Sequence, residues 1–120
     1  MRLLGASALV FLLPVMACTG PERPAAEPVA TDQVDLPKSY RFAPAAITVP
    51  ASTVVTWTNS DNFTHSVRLL DEGDTVLLMR PGQSVRFTFA TPGLRRYDCS
   101  FHPHDMRGTV AVSGESNGAS

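Results

Sequence analysis

The chain has 120 residues, 43% of them hydrophobic and 18% charged, with a formal net charge of −1, which allows one small domain with a modest core. No basic block occurs, and aromatic side chains do not interleave with basic ones, so a nucleic-acid surface is excluded. Three His and two Cys are too few to furnish an enzyme that needs several metal centres.

Residues 1–17, MRLLGASALVFLLPVMA, carry Arg2 and then an almost wholly apolar run, with no acid before Glu22. The run is too short to span a bilayer as a stable helix, and it has the charged start and apolar middle of an export signal. It ends VMAC, which resembles the cleavage site of bacterial lipoproteins, where the Cys becomes the lipidated first residue of the mature chain. Cys18 is therefore expected to anchor the protein to a bacterial membrane, with the domain in the periplasm or on the outer face of the cell membrane. Residues 18–38 hold four Pro among Ala, Glu and Asp without apolar periodicity. They read as a semi-extended linker with a reach of about 60 Å. With Cys18 committed to lipid, Cys99 is a lone thiol in an oxidising compartment, a hazard unless something occupies it.

Residues 39–114 read as the folded domain and 115–120 as a structureless tail. YRFAPAAITV opens the domain with a strand broken at Pro44, as at an edge or a switch between sheets. VVTWTN, HSVRLL, SVRFTF, RRYDC and GTVAV then alternate, placing Val55/Trp57, Val67/Leu69, Val85/Phe87/Phe89, Tyr97/Cys99 and Val110/Val112 on one face. Turn signals fall between them at NSDN, DEGD, RPGQ and TPG, and no segment keeps a helical period. The pattern predicts an all-β, antiparallel Greek-key sandwich of seven or eight strands.

YDCSFHPHDMRG, residues 97–108, concentrates the chemistry: Cys99, His102, His104 and Met106 lie within eight residues. Cys99 ends an inward-alternating strand, and the two-residue gap to His102 lets a tight turn aim both groups at one point. Gly108 is expected to let the chain turn into the last strand. His65, opening HSVRLL on the inward face, supplies a further imidazole. His₂Cys with a weak thioether is the donor set of a blue-copper site. Zinc also accepts Cys and His, but its structural sites rarely use a thioether. Ser66 and Ser100 flank the ligands and are expected to hydrogen-bond the thiolate or brace the loop.

On these residues the chain from Tyr40 to Val112 resembles a cupredoxin of the plastocyanin type. The matching runs are FAPAAITVPASTVVTWTNSDNFTHSV, RPGQSVRFTFATPG and YDCSFHPHDMRGTVAV. The resemblance implies a Greek-key sandwich and electron transfer at one copper ion, with His65, Cys99 and His102 as strong ligands and Met106 as the axial one. The chain departs from the family in three respects. His102 and Met106 are separated by three residues, where plastocyanins have four and amicyanins two. Ser52 replaces a common turn Gly, which predicts a different turn type. Arg95 stands on the inward parity two residues before Tyr97, and is expected to snorkel out or pair with an acid.

His104, beyond Pro103, is expected to be solvated. DEGD (Asp71, Glu72, Asp74) is expected to be a solvated turn, the alternative being an acidic docking surface. Phe63, Phe101, Pro103 and Met106 form a candidate apolar rim for docking redox partner proteins. The leading function is a monomeric, lipid-anchored single-electron carrier, not an enzyme. The alternative is a carrier or store that passes on copper itself, against which the thiolate of a preformed site argues.

Overall fold

In the computed structural model, residues 5, 8–14 and 27–116 are described. Nine strands are present among them: β1 (Val29–Ala30), β2 (Gln33–Leu36), β3 (Ala46–Ala51), β4 (Thr53–Asn59), β5 (His65–Leu69), β6 (Thr75–Met79), β7 (Ser84–Phe89), β8 (Gly93–Asp98) and β9 (Arg107–Ser116). Each of the five strands expected from alternation forms. In β4 the burial of Val55 and Trp57 beside half-exposed Thr56 and Thr58 follows the period of two.

The strands make two sheets, one ordered β1-β3-β9-β8-β5-β6 and the other β2-β4-β7. Their inner faces meet in one core, with Trp57 and Phe89 from the smaller sheet packed among Ile47, Val67, Tyr97 and Val110 of the larger. This is the expected all-β Greek-key sandwich, with nine strands rather than seven or eight, since the short β1 and β2 precede the expected domain start. The pairing is mixed rather than antiparallel throughout: β1·β3, β2·β4 and β3·β9 are parallel. Alternation reports which face a residue occupies and carries no strand direction. Only hairpin-linked neighbours must run antiparallel, and these three pairs are joined by longer connections.

Pro44 marks a switch between sheets. Ala43 bridges Asp35 of β2, whereas β3, just beyond, pairs with β9 in the other sheet. The linker expected over 18–38 does not extend that far, because Val34 and Leu36 of β2 are buried in the core. Two inward residues in a four-residue strand are too short a pattern to stand out beside Pro and Asp. At the other end β9 runs to Ser116, into the span expected as tail. Cys18 lies outside the described residues.

Ser52 keeps a left-handed backbone, φ 67°, so the turn type does not change; the side chain is accommodated at a steric cost. Ser52→Gly should therefore raise stability by about 0.5–1 kcal/mol, because relief of that cost outweighs the added freedom of the unfolded chain. A shift in the urea midpoint would show it. Arg95 does pair with an acid, its Nε standing 3.8 Å from Glu72 Oε1, and it also donates to the Thr91 carbonyl. Arg96 pairs with Asp71 at 2.8 Å, which pulls the Asp71 carboxyl down to about 2 through hydrogen bonds from its guanidinium and backbone N–H. The DEGD turn closes the β5–β6 hairpin, at the opposite end of β5 from His65. Asp71 and Glu72 are tied to β8, and the turn lies away from the candidate ligands.

Gly108 lies within β9 rather than at a turn, and its role is steric. A Cβ there would stand 2.2 Å from Tyr97 Cζ and 2.3 Å from Tyr97 Oη, so the Tyr97 ring rests directly on the β9 backbone.

Candidate metal centre

β5 begins and β8 ends at the same end of the larger sheet. Their backbone ladder holds only at Arg68↔Asp98 and Leu69↔Tyr97. Arg68 grips Asp98 with two hydrogen bonds, 2.8 and 2.7 Å. Beyond that clamp the strands part and side chains take over the joining. The Ser100 N–H donates to Ser66 Oγ at 2.9 Å, and the two hydroxyls are 2.7 Å apart. The opening so made holds the Cys99 sulfur, which receives the Ser66 N–H at 3.4 Å with Ser66 Oγ at 3.8 Å. Ser66 and Ser100 thus tie the two parting strands together beside the sulfur.

Cys99 and His65 are fully buried and His102 is half-buried. His65 Nδ1 is 3.9 Å and His102 Nδ1 4.0 Å from Cys99 Sγ. One nitrogen from each ring and the sulfur all lie within 4.8 Å of one another. Nitrogen and sulfur ligands ~2.0–2.3 Å from a shared ion stand ~3.5–4 Å apart, and both nitrogen–sulfur distances have that spacing. The atoms are too far apart to bond well to one another. The donor set, two imidazoles and a thiol, suits copper.

The loop from Cys99 to Met106 is closed by its own backbone. The Cys99 N–H donates to the Met106 carbonyl at 3.1 Å, and the His102 and Met106 N–H groups donate to Cys99 and His102 carbonyls at 3.1 and 2.9 Å. Met106 is thereby returned beside Cys99 and is fully buried. His104 is exposed and stands outside the ligand group, its Nδ1 3.4 Å from an Arg107 guanidinium nitrogen. Phe63 and Phe101 are exposed and Pro103 is half-buried at this end.

Three residues here escape sequence reasoning. Asp61, buried, accepts from His65 Nε2 at 2.9 Å, which leaves Nδ1 free to face the sulfur. That bond, with the Asn62 N–H, holds the Asp61 carboxyl below its usual range. Asn59, also buried, fixes the loop: its side-chain amide donates to the Phe63 and Met79 carbonyls and its Oδ1 accepts from the Asp61 N–H. Both belong to NSDN, a run that reads as an ordinary turn; the clue was the carboxylate four residues before a candidate ligand. Tyr40 lays its ring against His102, centroids 4.6 Å apart, and stacks on Phe63 at 6.0 Å. It does so from a turn in which Ser39 and Tyr40 have φ of 89° and 52°, an unusual conformation for such residues. No sequence pattern announces that.

A carboxylate behind a ligating imidazole makes the ring a better donor and favours the more charged metal ion. Asp61→Asn keeps an acceptor and removes the charge. It should raise the midpoint potential of the copper-loaded protein by about 60 mV if Cu(II) binding weakens tenfold relative to Cu(I), and voltammetry would measure it. An unchanged potential would mean that the Asp61 contact only positions the ring.

Residues 31–113 match the family described as copper binding proteins, plastocyanin/azurin family. Amicyanin-alpha of Methylorubrum extorquens is 28% identical over 90 residues, which are 71% of this chain and 74% of the relative. Among solved structures, a purple cupredoxin from Nitrosopumilus maritimus aligns at 29% identity and TM-score 0.58, covering 68% of this chain and 98% of the other. An amicyanin variant in its Cu(I) form aligns at 29% identity and TM-score 0.60, covering 68% and 80%.

Proposed function

From the premise that the chain belongs to the plastocyanin/azurin family of copper-binding proteins, blue-copper electron carriers, we propose that it passes single electrons between exported or membrane-side redox proteins. The observation that carries this reading is the convergence of His65, Cys99 and His102 on one point. When bound there, copper supplies a one-electron Cu(I)/Cu(II) couple. The residues present do the rest. Burial of Cys99 and His65 keeps water from the sulfur, and the Ser66 N–H supports the thiolate charge. Arg68–Asp98 and the closed 99–106 loop hold the ligands still, which limits the rearrangement that accompanies a change of charge. His102 reaches the surface among Tyr40, Phe63, Phe101 and Pro103, giving a route through one ring to a docked partner.

A site with two ligands fully buried suits retention of copper better than its delivery, so a carrier role has less support. The single centre and absence of a second His cluster among the described residues favour a carrier of electrons over an enzyme. Lipidation at Cys18 and an exported location are part of the proposal, supported by the VMAC run. The apolar residues Leu9 to Leu13 are exposed and contribute nothing to the core. The test is one visible spectrum of the protein loaded with a single equivalent of copper. An intense thiolate-to-Cu(II) band that bleaches on one-electron reduction is expected, and a colourless, tightly loaded protein would overturn the reading.

Met106 has its own expected outcome. Met106→Leu keeps the apolar cover and removes a soft donor, so the potential should rise. Met106→Gln adds a harder oxygen donor that favours Cu(II), so it should fall. If both match the wild type in voltammetry, the thioether is not a ligand.

A further inference from the structure

We propose that the end of the sandwich bearing His102 is a docking surface for an acidic protein, an inference that rests on the electron-transfer reading and names its class of partner. Lys38, Arg41, Arg80 and Arg107 are all exposed and all belong to this end. Lys38 and Arg41 flank Tyr40, whose ring lies on His102. Arg80 follows Met79, the partner of His65 in the sheet. Arg107 opens β9 opposite Asp98 and donates from Nε to the Pro103 carbonyl. None of the four takes part in an ion pair among the described residues, whose pairs are Asp61–His65, Arg68–Asp98, Glu72–Arg95 and Asp71–Arg96.

The acids of this end are mostly withdrawn. Asp61 is 5% exposed and bonded to His65, and Asp35 is half-buried and bonded to the Ser60 hydroxyl. Asp105 is exposed. At the far end the arrangement is reversed, because Arg95 and Arg96 are spent on the DEGD acids. Four free cations thus surround an apolar centre of Tyr40, Phe63 and Phe101, which are 40%, 57% and 54% exposed. An apolar centre with a charged rim is the anatomy of a protein-binding patch. Rim charges of one sign steer partners of the other and set the salt dependence.

The test uses poly-L-glutamate as the acidic probe, titrated into the full chain loaded with Cu(I) and followed by amide chemical shifts. Shifts are expected at residues 38–41, 80–82 and 101–107, fading as salt shortens the screening length. Arg41→Glu combined with Arg107→Glu should weaken binding about tenfold, whereas Arg86→Glu, in the middle of β7, should change it less than about twofold. Equal weakening by Arg86→Glu, or shifts centred on the DEGD end, would overturn the proposal. Phosphatidylglycerol vesicles test the other occupant. Wild type and the double variant should sediment with them equally. Loss of vesicle binding in the double variant, with no shifts from poly-L-glutamate, would assign the surface to anionic membrane and overturn the protein partner. The visible spectrum reads copper and Cys99 and does not depend on these side chains, so the two readings fail separately.

Discussion

Gly108→Ala is expected to destabilise the domain by about 3 kcal/mol or more, the upper part of the range for overpacking a core. For a domain of this size that lowers the melting temperature by roughly 15 °C. The added methyl would meet Tyr97 Cζ at 2.2 Å and Cε2 at 2.6 Å. Tyr97 cannot yield, because it is 1% exposed and packed edge-to-face against Phe42 and Trp57. The clash is between one backbone and one ring, so a double-mutant cycle isolates it: in a Tyr97→Leu background, Gly108→Ala should cost under about 1 kcal/mol. Tyr97→Phe separates the hydroxyl from the ring. Burial pushes the phenol well above its ordinary range. Trp57 is near, yet neither Tyr97 Oη nor Trp57 Nε1 has a hydrogen-bond partner of acceptable geometry. Removing an unsatisfied buried hydroxyl should therefore leave stability unchanged or raise it. Thermal melts of the four variants decide the matter, and a Gly108→Ala protein as stable as wild type would mean that the ring does not rest on β9.

Cys99→Ser should abolish the intense visible band of the copper-loaded protein while the far-ultraviolet spectrum stays that of the sandwich. Oxygen is a poor substitute for a thiolate as electron donor to Cu(II), so loss of the band should be essentially complete. The fold should survive because the two residues are close in size and Ser66 and Ser100 still offer hydrogen-bonding groups around the position. The histidines of the loop should divide sharply. His102→Ala removes an atom 4.0 Å from the sulfur and should change the spectrum. His104→Ala removes only a surface contact to Arg107 and should leave it nearly unchanged. A reversal of those two results would mean that the HPHDM turn presents the other ring.

What the sequence made legible and what it hid divide along physical lines. The cluster of His65, Cys99 and His102 was readable because two of them lie in one short loop and the third opens an alternating strand, so chemistry and periodicity agree. Trp57, Tyr97 and Phe89 were readable as core for the same reason. β2 was not, because Val34 and Leu36 sit between residues that mark loops, and their burial depends on a parallel neighbour that is distant in sequence. Gly108 was assigned to a turn because glycine most often signals backbone freedom; close approach of a ring from another strand is a tertiary fact. Asp61 and Tyr40 were missed likewise, since each acquires its role from a loop conformation that brings it to an imidazole. Ser52 shows the reverse case, in which the unusual residue tolerates the ordinary turn.

The short parallel pairing of β1 with β3 bears on how a tethered molecule would stand. Val29 lies opposite Ile47, in the first turn-ward residues of β3, and β1 runs away from the metal end. The chain thus enters the domain from the side that carries His102. For a protein held by a lipid at Cys18, as proposed, only residues 19–28 separate the anchor from the first strand, a leash of at most ~35 Å. A leash that short and attached on that side would keep the redox face low over the bilayer instead of letting it roam. Its exchange partners would then be proteins seated in or on the same membrane, met by lateral diffusion in two dimensions.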